Sequence, residues 1–125
     1  MNLYNYKDIL NGTPAHIATV SPKNKPNISV ASNYRIIKEN KIVISVNEMI
    51  NTQKNVESNP NTVITVFDDN WVGLRIFGKA KFYTKGKYFD FCKDTCYSYN
   101  KVSPTGRTEP KGAIVITVTK IEELK

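Results

Sequence analysis

The chain has 125 residues, 40% of them hydrophobic and 23% charged, with a formal net charge of +7. That length supports one domain, residues 1–125, with one core. Its longest apolar runs, about five residues, fall far short of the roughly 20 that cross a bilayer as a helix. No basic stretch followed by an apolar run opens the chain, so a cytoplasmic protein with no membrane partner is expected. The lysines are spread throughout. The densest group, Lys79, Lys81, Lys85 and Lys87, alternates with apolar residues, which favours a solvated strand face over a nucleic-acid stripe.

Taken in order, Leu3 to Asn11 reads as a short amphipathic helix, with Leu3, Tyr6, Ile9 and Leu10 on one side and Gly12 as its stop. Ala15 to Ser21 is a first strand. The turn Pro22-Lys23-Asn24-Lys25-Pro26 reverses the chain into a long second strand from Asn27 to about Ile37. Lys38-Glu39-Asn40 turns again into a third strand, Lys41 to Val46. A short helix follows, with Asn51 and Thr52 as N-cap types and Asn59-Pro60 as its end. Thr62 to Phe67, a turn at Asp68-Asp69-Asn70, and a long strand from Trp71 to Thr84 come next. Gly78 inside that strand marks a bulge or a tight bend.

A second helix, Tyr88 to about Tyr99, places Cys92 and Cys96 on one face as reduced packing thiols. Only His16 could add a nitrogen ligand to them, so a structural zinc site with the usual ligand set cannot be built. A polar loop, Asn100 to Gly112, leads to the closing strand Ala113 to Val118. The fold class is mainly β: a six-stranded antiparallel barrel plugged by short helices, its closure removing the sheet edges.

The segment after the third strand carries the most chemistry. A helix N-terminus beside a hydroxyl, two amides and a lysine (Thr52, Asn51, Asn55, Lys54) suits a phosphate group, although an ordinary capped surface helix uses the same residue types.

Four stretches in order resemble the pyridoxamine 5′-phosphate oxidase-like family of FMN-binding split β-barrels, and within it the small stand-alone FMN-binding proteins. They are Ala15-His16-Ile17-Ala18-Thr19-Val20; Pro26-Asn27-Ile28-Ser29-Val30-Ala31-Ser32-Asn33-Tyr34; Met49 through Pro60; and Leu74-Arg75-Ile76-Phe77-Gly78-Lys79-Ala80-Lys81-Phe82-Tyr83. Thr108 to Val115 is also similar to this group. The resemblance implies FMN held at a homodimer interface, with Ser32 and Asn33 lining the flavin. It implies Ser45, Val46 and Asn47 at the ribityl chain and ring edge, and Asn51, Thr52, Lys54 and Asn55 at the phosphate. Several members carry a basic residue immediately before the Thr52 position, where this chain has Asn51. The larger oxidases of the family also place an arginine near Ser29, which this chain lacks. That departure argues against vitamin B6 oxidation.

The function implied is an FMN-dependent oxidoreductase passing electrons or hydride to or from a small molecule. The alternative is a non-catalytic FMN-binding electron carrier. No catalytic side chain is named and no metal site is expected, since one histidine leaves little room for nucleophile–base chemistry. Trp71 is read as interface packing or as a stack on the partner's flavin, and Tyr34 as flavin-facing or barrel wall. Arg75 is read as a structural ion pair with Asp68 or Asp69, or as a ligand contact. Binding of single-stranded nucleic acid would need aromatics interleaved with basic residues on an exposed sheet face, and alternation is expected to turn the aromatics of Arg75-Ile76-Phe77 and Lys81-Phe82-Tyr83 inward. No nucleic-acid partner is expected.

Overall fold

Period-two alternation carries directly into structure. In the strand Asn61–Phe67, Thr62, Ile64 and Val66 are buried while Asn61 and Phe67 stay exposed. The structure, a computed structural model, describes residues 1–11, 13–31, 33–47, 49–96 and 110–124. Seven strands form one antiparallel sheet: β1 (Ala15–Val20), β2 (Pro26–Ala31), β3 (Tyr34–Lys38), β4 (Lys41–Val46), β5 (Asn61–Phe67), β6 (Gly73–Tyr83) and β7 (Gly112–Leu124), hydrogen-bonded in the order β2-β1-β5-β6-β7-β4-β3.

The expected second strand, Asn27 to Ile37, is therefore two strands. Its first half pairs with β1 and its second with β4, at opposite edges of the sheet. This gives seven strands where six were expected, and a ladder that is split and not closed. The break has a local cause. Asn33 gives its carbonyl to the Ser45 amide at 2.9 Å, so the chain changes partner at this corner. The two edge strands thus lie on either side of this corner in the chain.

The long β6–β7 pair runs from Gly73↔Leu124 to Tyr83↔Ala113, which is why the last strand extends well past Val118. Gly78 sits at a register shift in it, as expected of a bulge. A Cβ there would lie 2.5 Å from Ile116 Cγ2 and 2.7 Å from the Thr117 carbonyl, so only glycine fits.

The N-terminal segment is a 3-10 turn, Leu3–Tyr6, shorter than the helix expected through Asn11. Its asparagine- and tyrosine-rich residues have weak helix propensity, and so short an element draws its stability from docking. The docking bonds are Leu3 N–H to the Glu39 carbonyl at 2.7 Å and the Tyr34 hydroxyl to the Thr13 carbonyl. Among the described residues the α-helices are α1 (Ile50–Ser58) and α2 (Lys87–Phe91), the latter running into a π-helical turn, Cys92–Cys96. The expected helix end at Tyr99 and most of the loop after it lie outside the described residues.

The main core fills the barrel with Ile17, Ile42, Ile44, Ile64, Leu74, Ile76, Ile114 and Ile116. On the other side of the sheet, Val43, Ala113 and Val115 form a second, small core with Cys92 beneath α2.

Candidate functional site

Strand β2 sets up the site by an unusual choice of face. Asn27 and Ser29 turn inward with Ala31, while Ile28 and Val30 point out, 69% and 59% exposed. The inward polar residues meet the first turn of α1. Asn27 Nδ2 donates to Thr52 Oγ1 at 3.1 Å, and the Ser29 and Thr52 hydroxyls share a hydrogen bond at 2.5 Å. Thr52 is wholly buried as a result. One turn further along, Asn55 Nδ2 donates to Thr19 Oγ1 at 3.0 Å, another buried pair. Thus α1 docks on β1 and β2 largely through side-chain hydrogen bonds, with Val56 as its buried apolar contact.

The helix start differs from the expectation. Met49 occupies the N-cap and makes no side-chain capping bond, so Asn51 and Thr52 lie inside the first turn. The Thr52 hydroxyl is engaged by β2 and does not turn back to cap its own helix. No acidic residue sits in that turn. Among the described residues, the first-turn amides therefore present their partial positive charge with neither a capping side-chain oxygen nor a carboxylate of their own turn against them. Asn51 and Lys54 are on the exposed side of the helix. Between them, Gln53 donates Nε2 to Glu57 at 3.1 Å, while its Oε1 is buried with no hydrogen-bond partner among the described residues.

The remaining candidates gather at the strand corner just before α1. Asn33 is half-buried and holds Ser45 through the backbone, and Ser45 Oγ lies 3.4 Å from Asn47 Oδ1. Val46 is buried in the main core, and its carbonyl accepts from Lys111 N–H at 2.8 Å. Ser32 lies outside the described residues. The structure brings Asn33, Ser45 and Asn47 together at one corner and Asn51, Thr52 and Lys54 at the helix start beside it. Asn55 is turned away to β1. Asn27 and Ser29 were not singled out by the sequence reading; the signal was the polar–apolar alternation of Asn27-Ile28-Ser29-Val30, in which the apolar residues would ordinarily be given the core.

Elsewhere the open readings resolve. Tyr34 is barrel wall, 4% exposed, and burial raises its pKa to about 12. Arg75 pairs with Glu122 at 3.1 Å, not with Asp68 or Asp69, because Glu122 is its cross-strand neighbour. The side chain of Asp68 is used locally, accepting from the Asn70 and Val72 amides at 2.9 and 3.0 Å. Trp71 closes this turn at φ 62° and is 81% exposed, its ring edge-to-face with Phe67 at 5.6 Å. His16 is exposed on β1. Cys92 is buried in the second core, and the Cys96 side chain lies outside the description. Phe82 packs against the main core, whereas Phe77 and Tyr83 do not turn into it. They sit half-buried beside Lys120 and Lys81, at 5.6 and 5.4 Å. Among the described residues no group of three or more His, Cys, Asp or Glu could hold a metal, and no helix is long and apolar enough to cross a membrane.

The family model for pyridoxamine 5′-phosphate oxidase matches residues 5–125. The chain belongs to that family. An uncharacterized protein of Methanocaldococcus jannaschii, MJ0282, is 29% identical over 111 residues, 87% of this chain and 71% of that protein. Among solved structures, HupZ of Group A Streptococcus superposes with a TM-score of 0.86 at 27% identity, covering 99% of this chain and 94% of that one. An FMN-binding protein from Syntrophomonas wolfei has a TM-score of 0.81 at 21% identity, covering 98% and 86% of the two chains. The split barrel is thus the pyridoxamine 5′-phosphate oxidase fold.

Proposed function

We propose that this family member is a homodimeric FMN-binding flavoprotein that passes electrons or hydride to or from a small molecule or redox partner. The observation that carries the reading is the start of α1: among the described residues, amides without a side-chain cap, no acidic residue in the first turn, and Lys54 on the open side. A dianionic phosphate needs such a set, since charge-assisted hydrogen bonds are roughly twice as strong as neutral ones. In this reading the Asn51 and Thr52 amides and Lys54 hold the phosphate, with Asn51 adding its side-chain donor. Thr52, fixed by Asn27 and Ser29, sets the angle of the helix, and Asn55 locks it to β1. Ser32, Asn33, Ser45, the Val46 backbone and Asn47 line the ribityl chain and ring edge. FMN, when bound, supplies the electron and hydride chemistry; the chain's residues bind it, orient it and exclude water.

The FMN-binding neighbour from Syntrophomonas wolfei supports the cofactor at the level of the fold. The exposed apolar residues Ile28 and Val30 on β2, and Phe67, Trp71 and Val72 at the β5–β6 turn, support a dimer, because exposed apolar side chains of this kind are what an interface covers. Trp71 is its natural anchor.

The test is the visible absorption spectrum of the purified protein with and without added FMN. A flavin spectrum stoichiometric with the chain, weakened about tenfold in affinity by Lys54→Ala, is expected. A colourless protein that ignores FMN overturns the reading. Oxidation of NAD(P)H with turnover then identifies an enzyme, and photoreduction without turnover identifies an electron carrier. Sedimentation tests the dimer, which Trp71→Ser should weaken.

A further inference from the structure

At the far end of the β3–β4 hairpin from α1, a cavity of about 380 Å³ opens between β3 and α2, lined by Ile36, Ile37, Lys38, Lys87, Tyr88 and Phe91. Its lining is largely apolar: Ile36 and Ile37 of the edge strand, and Tyr88 and Phe91 of the helix. A register shift falls within this lining, between Ile36 and Lys38, and the extra residue, Ile37, packs onto the second core while Ile36 packs against the first. Lys38 and Lys87 are exposed, and Lys87 Nζ stands 5.1 Å over the Tyr88 ring. Neither Glu39 nor Asp90, the carboxylates closest in sequence, lines the cavity.

We propose that this cavity is a binding site for a small aryl carboxylate, separate from the flavin site. The cavity lies between a strand and a helix and has room for an aromatic ring, which packs on the apolar lining of Ile36, Ile37, Tyr88 and Phe91. The carboxylate lies at the mouth between the two ammonium groups. A neutral aromatic would gain nothing from the two ammonium groups, and an aromatic cation would be repelled by them. Lys41, the register partner of Lys38, adds to the positive field, although its ammonium is held by Thr117 Oγ1 at 2.7 Å. Along β4 the distance from Lys41 to Asn47 is about 20 Å at about 3.3 Å per residue, so the cavity and the start of α1 are distinct places on the sheet.

The test titrates naphthoate into the full-length protein, followed by NMR of the isoleucine methyl groups, with naphthamide as the neutral probe of the same shape. Saturable naphthoate binding that shifts Ile36 and Ile37 is expected, with naphthamide about tenfold weaker. The double variant Lys38→Glu/Lys87→Glu should weaken naphthoate at least about tenfold, since it reverses the charge at the mouth, and leave Tm unchanged because both side chains are exposed. FMN is titrated into the same samples, so failure of the flavin reading and of this one are told apart. The proposal is overturned by absence of saturable binding, by equal affinity for the amide, by indifference to the charge reversal, or by competition between naphthoate and FMN.

Discussion

Helix α1 turns Thr52 and Asn55 inward and meets β1 and β2 through hydrogen bonds to Asn27, Ser29 and Thr19. Helix α2 and its π-helical turn instead bring Tyr88, Phe91 and Cys92 onto Val43, Ala113 and Val115 on the other side of the sheet. The difference lies in what each attachment specifies. A hydrogen-bonded side chain is fixed in direction as well as distance, so α1 is held at a set angle with its first-turn amides open. Apolar contact is non-directional and fixes little more than burial, which leaves room for a cavity beside α2. The polar attachment also fails in a way of its own, because removing one partner strands the other in a buried place.

The largest effect should come from the apolar attachment. Val43 is wholly buried beneath α2, and Val43→Ala leaves a cavity that α2 closes only in part. A loss of about 2–3 kcal/mol is expected from urea unfolding. A loss below about 1 kcal/mol would show α2 collapsing freely onto the gap, and the attachment would be looser than the packing implies.

The polar attachment gives the next effect. Asn55→Ala removes the donor to Thr19 and should cost about 1–2 kcal/mol. Thr19→Val in that background removes the stranded hydroxyl as well and should restore part of the loss, giving a coupling of about 1 kcal/mol in the double-mutant cycle. Additive costs would mean that the Asn55–Thr19 bond does not fasten α1, leaving Thr52 and Val56 to hold it, and the contrast between the helices would weaken.

Which of these attachments the sequence discloses depends on what alternation can encode. The strands were legible because apolar residues at every second position have one way to be buried, as Leu74, Ile76 and Ala80 show in β6. The break between β2 and β3 was not, because a strand that changes partner at a bend keeps the same pattern on both sides of it. Nor was the inward face of β2: with Ile28 and Val30 facing out, pattern alone gives the wrong parity, and only the polar groups on α1 make Asn27 and Ser29 suitable interior residues. The candidate site was legible as a place, the start of α1. The directions of Thr52 and Asn55 were not, since an amide or hydroxyl reads alike whether it faces a ligand or a neighbouring strand.

A third attachment, that of the N-terminal segment, sharpens the contrast because it joins a polar tip to an apolar ring. The Tyr34 hydroxyl donates to the Thr13 carbonyl while its ring lies in the core. Burial raises its pKa from 10.0 to about 12. The folded state therefore holds this proton more tightly than the unfolded chain does. The associated stability, about 1–2 kcal/mol after solvent screening, is fully present below pH 10 and is lost as the pH rises through about 12. Tyr34→Phe should lower stability at neutral pH by about 1 kcal/mol and flatten this alkaline decline. An equally steep decline in the variant would place its origin in other groups.

The smallest effect belongs to the outer face of β6 and β7, where neither mode of attachment operates. Glu122 lies in reach of Lys120 at 3.0 Å and Arg75 at 3.1 Å, and hydrogen bonds from both hold its carboxyl below the usual carboxylate range. The sign follows from that depression: any stability it provides is present above the unfolded pKa and is lost as the pH falls through the folded value. All three groups are solvated, so charge is exchanged between water and partner at almost equal free energy. Glu122→Gln should leave the urea midpoint unchanged in high salt and lower it slightly in low salt at neutral pH, with no loss in acid. If it cost as much as Asn55→Ala, exposed charge would have to be counted as a third means of fastening this sheet, and burial would no longer separate the strong contacts from the weak.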